Sequence, residues 1–290
     1  MKLFDYCAPA SVAEAVGALA ASPRARALAG GTDLLVQLRA GRVDASVVVD
    51  VKRIPELNEL SYDPEAGLTL GAAAPCCRIS EHPSVQATYS ALAEVAALIG
   101  GVHIQSRASI GGNLCNAAPS ADSVPVLISY KAVCRVAGPA GTREIPVEDF
   151  CTGPGETVLS PCELLVSFRL PPPPARSGAR YLRFIPRNEM DIAVAGEGTQ
   201  VVLEDGHFRS ARIALAAVAP TPLLVAEAGE WLAGKPANAE SIRAAAEIAR
   251  RAAQPITDMR GSADYRRHLC AVLTRRALET AVERAKGGPR

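Results

Sequence analysis

Two short stretches carry paired glycines beside hydroxyl or amide side chains: Ala29-Gly30-Gly31-Thr32-Asp33 and Ser109-Ile110-Gly111-Gly112-Asn113. Successive glycines tolerate positive φ and leave no side chain between backbone and ligand, so consecutive N–H groups can point into one concave nest. A helix that begins just after such a turn adds unpaired N–H groups and the positive end of its dipole. Phosphate is the guest that suits this chemistry. An ordinary tight strand–helix turn would use the same residues, so the first pair taken alone leaves both readings open. The second pair lies some eighty residues later. Two such loops could grip one diphosphate from opposite sides, and a dinucleotide is the economical inference. Thr32 can add a hydroxyl donor, whereas Asp33 has the wrong charge for a phosphate and is expected to cap the helix or shape the loop. Neither the G-x-G-x-x-G fingerprint nor G-x-x-x-x-G-K-[ST] is present.

Other reactive side chains are sparse. Asp122, in Pro119-Ser120-Ala121-Asp122, could accept hydrogen bonds from a cofactor's sugar or adenine, or act as a helix N-cap. His103, in an expected loop, reads as structural rather than catalytic. No Ser-His-Asp order, H-E-x-x-H or paired-acid signature occurs. The eight cysteines contain no C-x-x-C pair, and Cys76 and Cys77 are adjacent, a poor spacing for two ligands of one ion. Cys115, Cys134, Cys151 and Cys162 share one stretch that could hold an iron–sulfur cluster in principle. However, Cys134 sits in the alternating run Ala132-Val133-Cys134-Arg135-Val136, which reads as a strand, and buried reduced thiols are the expected state.

The elements that must position these residues follow from composition and periodicity. In 290 residues the chain is 49% hydrophobic and 21% charged with a net charge of +1, which predicts a sizeable core and excludes wholesale disorder. The charge balance argues against nucleic acid and against an acidic membrane surface, and no apolar run is long enough for a membrane span. The amino terminus lacks a signal-peptide core, so the cytoplasm is the expected compartment. A helix from Ser11 to about Ala21, a strand Arg26–Leu28, a helix Leu34–Arg39 and a strand Ser46–Val51 place the first glycine pair in a strand–loop–helix–strand unit. A strand is expected at Gly67–Ala72 and a helix from roughly Ser84 to Ile99. Further strands follow at Ala132–Ala137, Thr142–Pro146 and Glu163–Leu170. The run Pro171–Pro174 is a stiff spacer and marks a domain boundary. Beyond it, three antiparallel strands (Ala179–Ile185, Ile192–Leu203, Phe208–Val218) precede helices at Leu223–Leu232, Ala239–Ala252 and Ala263–Arg284.

Taken together, Ala29-Gly30-Gly31-Thr32-Asp33-Leu34-Leu35 and Ser109-Ile110-Gly111-Gly112-Asn113-Leu114-Cys115-Asn116 running into Asp122 resemble the flavoprotein subunit of the molybdenum hydroxylases, the xanthine dehydrogenase and carbon monoxide dehydrogenase family. Thr152-Gly153-Pro154-Gly155, the stretch from Arg187 to Ala193, Ala217-Val218-Ala219-Pro220-Thr221-Pro222 and Arg260-Gly261-Ser262-Ala263-Asp264-Tyr265-Arg266 extend the resemblance over nearly the whole chain. It implies an α+β fold: a split FAD-binding domain of the vanillyl-alcohol-oxidase (PCMH) type over 1–170, in two α/β subdomains of about 1–57 and 58–170. A carboxy-terminal α+β domain of the carbon monoxide dehydrogenase flavoprotein type would follow over 175–290, with a three-stranded antiparallel sheet and a helix bundle.

By position in the matched motifs, the resemblance implies FAD contacts from Leu28, Ala29, Gly30, Gly31, Thr32, Asp33 and Leu34 in the first loop. Ala108, Ser109, Ile110, Gly111, Gly112, Asn113 and Asn116 would contribute from the second, with Asp122, Leu164 and Arg183 elsewhere. It implies no catalytic residue and no metal site. The A-G-G-T-D form looks more like xanthine dehydrogenase than the A-G-G-H-S of carbon monoxide dehydrogenase, which favours a purine or another N-heterocycle as the substrate of the complex. Many relatives read Q-I-R-N where this chain has His103-Ile104-Gln105-Ser106, so their basic contact is out of register here. No cysteine-bearing insertion of the 4-hydroxybenzoyl-CoA reductase kind is present.

The implied partners are a molybdopterin-binding large subunit and a [2Fe-2S] small subunit, assembled as a dimer of heterotrimers. Electrons from the clusters would be collected at the flavin and passed to NAD or another acceptor. A self-sufficient flavin oxidase or reductase, a carbon monoxide dehydrogenase medium subunit and a non-enzymatic nucleotide-binding module are the competing readings.

Overall fold

The computed structural model describes residues 2–187 and 190–288, so Asn188 and Glu189 of the Arg187–Ala193 stretch lie outside the described residues. Its first layer is organised by Val47-Val48-Val49, whose β-branched side chains suit a strand buried between neighbours. Strands β1 (Asp5–Cys7) and β2 (Ala25–Leu28) flank β3 (Val47–Asp50) in a parallel sheet of order β1-β3-β2. Helix α1 (Val12–Ala20) joins β1 to β2, and α2 (Leu34–Arg39) joins β2 to β3. Ser11 caps α1 by accepting the Glu14 N–H at 3.2 Å, while the Glu14 carboxylate accepts the Ala10 N–H at 2.9 Å. The reciprocal bond thus falls one residue outside the usual capping box.

The second layer opens with the hairpin β4 (Leu60–Asp63) and β5 (Gly67–Gly71). A run of short helices follows: α3 (Cys76–Glu81), α4 (Pro83–Thr88), α5 (Ser90–Leu98), α6 (Val102–Gln105), α7 (Ile110–Cys115) and α8 (Ser123–Ser129). Strands β6 (Val133–Gly138) and β7 (Gly141–Pro146), the ribbon β8 (Cys151–Gly153) and β9 (Glu156–Thr157), and β10 (Leu164–Leu170) complete it. The main sheet is antiparallel in the order β4-β5-β10-β6-β7.

The single helix expected from Ser84 to Ile99 is divided at Tyr89, whose backbone at φ −121° and ψ 52° leaves helical geometry. Burial explains the break. The Tyr89 ring is fully enclosed, edge-on to Tyr130 at 5.3 Å and to Tyr62 at 6.1 Å. Its hydroxyl donates to the carbonyls of Leu170 (3.3 Å) and Pro171 (3.1 Å), pinning the entrance to the proline run.

Beyond the prolines, β11 (Ser177–Phe184), β12 (Ala195–Glu204) and β13 (His207–Ala216) form an antiparallel meander. A short β14 (Leu223–Leu224) adds a fourth strand to the three expected, and helix α9 (Ala226–Leu232) begins later than the sequence predicts. Pro220 and Pro222 account for this, because they bias the preceding backbone toward extended conformations and deliver Leu223 to the sheet edge. Helices α10 (Ala239–Ala252) and α11 (Ala263–Ala285) pack beneath the sheet.

The core does not stop at the prolines. The cluster containing Leu68 and Phe168 continues into Ala179, Tyr181 and Ala214. Gly198 lets β12 approach α8, since a Cβ there would stand 2.8 Å from the Pro125 carbonyl carbon. Arg212 donates to the Ile128 carbonyl (2.9 Å) and to Glu148 (2.7 Å), and the Ala217 N–H donates to the Pro119 carbonyl at 2.7 Å. Gly198→Val should therefore cost about 1–3 kcal/mol by overpacking. Gly17→Ala, in an exposed helix interior with nothing within 4 Å of the new methyl, should add about 0.5–1 kcal/mol of stability. Denaturant unfolding midpoints of the two variants should move in opposite directions.

Candidate functional site

From the end of β2 the chain turns through Ala29-Gly30-Gly31-Thr32-Asp33 into α2, and Gly31 takes φ +77°, in the left-handed region. Among the described residues no acceptor takes the N–H of Gly31, Thr32, Asp33 or Leu34, whereas Leu35 already donates to the Gly31 carbonyl at 3.1 Å. Adjacent unpartnered donors at a helix start form an anion-binding nest. Asp33 makes no capping hydrogen bond and opens onto the cleft, where desolvation raises its carboxyl pKa.

The second glycine pair is not a loop, as expected, but the first turn of α7. Ser109 is the N-cap, extended at φ −128° and ψ 154°, and its hydroxyl accepts the Gly112 N–H at 3.0 Å. A sequence of small polar residues suits a loop and a capped helix start equally well, and only the Ser109 backbone geometry distinguishes them.

The glycines divide their duties. A Cβ on Gly30 would stand 1.9 Å from the Arg107 carbonyl oxygen, and one on Gly111 would stand 2.3 Å from that of Ala72. Both positions are backbone-to-backbone contacts. A Cβ on Gly112 would meet only the Ser109 hydroxyl, at 3.1 Å. Arg107 thus contributes its carbonyl, not its guanidinium, to the junction of the two turns.

Together the turns wall a cleft of about 590 Å³, within the roughly 300–1,000 Å³ usual for ligand sites. Ala29, Gly30, Gly31, Thr32, Asp33 and Leu34 lie along one side of it. Ala108, Ser109, Gly111, Gly112, Asn113 and Asn116 lie along the other, with Leu164 from β10. Leu28, Ile110, Asp122 and Arg183 are not in its wall. The Leu28 side chain packs under Gly31, and Ile110 is fully buried in the core. Asp122 pairs with Arg183 and accepts the Tyr181 hydroxyl at 2.5 Å, while Arg183 also donates to the Leu98 carbonyl at 3.0 Å, beside cleft-lining Ile99. Desolvation raises the Asp122 pKa against the opposing pull of Arg183, and burial with Asp122 lifts the Tyr181 hydroxyl well above its ordinary value.

Several cleft residues escaped the sequence reading. Gln37 donates from its side-chain amide to Asn116 Oδ1 at 2.8 Å, tying α2 to the end of α7. Arg26, braced by donating to the Ala25 carbonyl at 2.8 Å, and Arg42 bring positive charge. Their proximity to the first glycine pair in sequence was the available signal. Cys115, expected as a buried thiol, is exposed on the cleft wall because it falls on the outer side of the last turn of α7. Cys76, Cys134 and Cys270 are buried, and among the described residues no three His, Cys, Asp or Glu side chains are grouped to hold a metal. His103 lies in helix α6 rather than a loop and is exposed.

At the cleft's edge Glu163 accepts from Arg143 Nε (2.7 Å) and Nη2 (2.8 Å) and from the Ser160 N–H (2.8 Å). This pairing lowers its pKa from 4.5 to about 2.

Residues 2–173 match the family described as "FAD binding domain in molybdopterin dehydrogenase", and residues 180–281 match "CO dehydrogenase flavoprotein C-terminal domain". The chain is 32% identical to a xanthine dehydrogenase FAD-binding subunit of Escherichia coli O157:H7, covering 98% of this chain and 99% of that one. It is 33% identical to the carbon monoxide dehydrogenase medium chain of Hydrogenophaga pseudoflava, with 96% of each covered. A solved structure of carbon monoxide dehydrogenase from that organism, lacking the Mo-pyranopterin moiety, superposes with a TM-score of 0.94 at 33% identity over 98% of both chains. Quinoline 2-oxidoreductase from Pseudomonas putida 86 gives 0.91 at 31% identity, covering 98% and 99%.

Two outcomes follow from the cleft. Gly112→Val should remove bound FAD while leaving the thermal midpoint of the apoprotein within a degree or two. Gly30→Val and Gly111→Val should lower both, measured as the flavin-to-protein ratio and by differential scanning. Because the Glu163 pKa is depressed, its stabilisation is full above about pH 4.5 and is lost as pH falls toward 2. Glu163→Gln should therefore be less stable than the parent at neutral pH, with the difference closing across that window in acid-unfolding curves.

Proposed function

The chain belongs to the FAD-binding flavoprotein subunits of the molybdenum hydroxylases, and from that premise we propose that it is the electron-transfer component of a xanthine dehydrogenase-like complex. The observation that carries the reading is the nest of N–H groups from Gly31 to Leu34, unpartnered among the described residues, lining the same cleft as the open flank of Gly112. Such a cradle suits a dinucleotide diphosphate. The Gly31–Leu34 N–H groups would hold the diphosphate, and Thr32 would add its hydroxyl. Arg26 and Arg42 would balance the phosphate charge, which Asp33 alone would repel. The Gln37–Asn116 hydrogen bond would keep the two walls at a fixed separation, and Leu164 would present an apolar side chain to the flavin. Asp122 and Arg183, held by one another, would position the Leu98–Ile99 backbone at the rim rather than seize the cofactor from a distance. When bound, FAD supplies the exchange between single electrons and a hydride, and the protein supplies orientation and electrostatics.

A [2Fe-2S] small subunit would deliver the electrons, a molybdopterin-binding large subunit would act on the organic substrate, and NAD or another acceptor would take the electrons away. The assembly would be a dimer of heterotrimers. The A-G-G-T-D turn and the full-length similarity to a xanthine dehydrogenase subunit support an N-heterocyclic substrate. The TM-score of 0.94 to a carbon monoxide dehydrogenase chain supports that complex as the second reading.

The purified chain should be yellow, release FAD on denaturation and bleach with dithionite. Alone it should not turn over xanthine or carbon monoxide. Co-expression with the two partner subunits should restore turnover of xanthine in preference to carbon monoxide. A colourless chain that fails to take up FAD would overturn the flavoprotein reading. Turnover by the isolated chain would favour a self-sufficient flavin enzyme.

A further inference from the structure

A second cavity lies at the seam between the two halves of the chain and shares no residue with the cofactor cleft. It is closed in by Thr88 and Ser90 at the α4–α5 break, by Arg176 and Ser177 where the proline run enters β11, by Gln200 on β12 and by Arg284 near the end of α11. Gln200 is 9% exposed and lines the cavity, and no hydrogen bond engages its side-chain amide among the described residues. The amide keeps contact with solvent and is free to hydrogen-bond a guest of this cavity. The hydroxyls of Thr88, Ser90 and Ser177 are likewise unengaged among the described residues.

The charge around the cavity is positive on balance. Glu94 is shared between Arg180 and Arg284, so one carboxylate answers two guanidiniums, and the exposed Arg176 adds a third positive charge at the mouth. Arg284 is itself fixed, donating to the Ala179 carbonyl at 2.6 Å. The cavity measures about 190 Å³, equal to roughly six water molecules at about 30 Å³ each. That is too small for a nucleotide and sufficient for a compact ion.

We propose that this seam cavity is a second ligand site, for a small oxyanion of phosphate size held by Arg176, Arg284, the Gln200 amide and the surrounding hydroxyls. Occupancy ties β11 and β12 to the α4–α5 junction, across the boundary that the proline run spans. The site is independent of the cofactor reading, so the test uses full-length chain already saturated with FAD, which keeps the probe ion out of the dinucleotide cleft. Inorganic phosphate should give a one-to-one calorimetric isotherm and a saturable rise of about 2–4 °C in the unfolding midpoint. Potassium chloride at matched ionic strength should give neither. Gln200→Leu and Arg176→Asn should each weaken phosphate binding at least about tenfold with the flavin absorbance unchanged. Asn is chosen because it tolerates the φ of 56° at position 176. Equal effects of phosphate and chloride would overturn the proposal, as would an isotherm unaltered in both variants. If Gln200→Leu fails to fold, the exposed Arg176→Asn decides the matter alone.

Discussion

The Arg107 carbonyl oxygen occupies the space where any side chain at position 30 would begin, 1.9 Å from the ideal Cβ. This contact presses the turn after β2 against the segment leading into α7. It brings a parallel sheet and an antiparallel sheet, formed by distant parts of the chain, to a common edge. The cleft is the space left over when these two backbones meet. A second close approach, Gly111 on Ala72, holds α7 against the end of β5 and sets the opposite wall. The glycines at 30 and 111 are thus demanded by packing and Gly31 by its left-handed backbone over Leu28, whereas Gly112 leaves the backbone open on the cleft side. A motif that reads as four equivalent small residues divides into three positions fixed by the fold and one open to the cleft.

Recognition built from backbone needs little from side chains, which accounts for the composition. Aromatic residues make up 4% of the chain, and three of them, Tyr62, Tyr89 and Tyr130, are grouped against the proline run instead of the cleft. Gly198, with no side chain, lets β12 touch α8 at Pro125. The charges in and around the cleft are few and individually braced: Arg26 by the Ala25 carbonyl, Glu163 by Arg143, and Asp122 by Arg183. Fixing a charge before a ligand arrives reduces the ordering cost at binding.

The two halves are joined by more than a linker. Arg212, Arg180 and Arg284 on the carboxy-terminal side reach Glu148, Glu94 and the Ile128 carbonyl on the other, and the apolar core runs past the prolines. Partly buried ion pairs of this kind hold register because breaking one strands its partner in a poorly solvated place. The rim of the cleft is tied into the same seam through Arg183 and the Leu98 carbonyl.

The sequence by itself determined the class of site and most of the elements. Glycine pairs with adjacent hydroxyls specify what a backbone can do, and local periodicity specified α2, α10 and α11 nearly to the residue, because those signals depend on neighbours in the chain. Tertiary structure decided what depended on distant partners. Tyr89 breaks a helix that local propensity would continue, because its ring and hydroxyl are satisfied by Tyr130 and the Leu170 and Pro171 carbonyls. Leu223 and Leu224 become strand because β13 offers them an edge. Gln37 and Asn116, separated by 79 positions, meet only once α2 and α7 are folded together. Asp122 and Arg183, which motif position alone directs toward the cofactor, face one another across the seam, since a buried carboxylate takes the nearest cation.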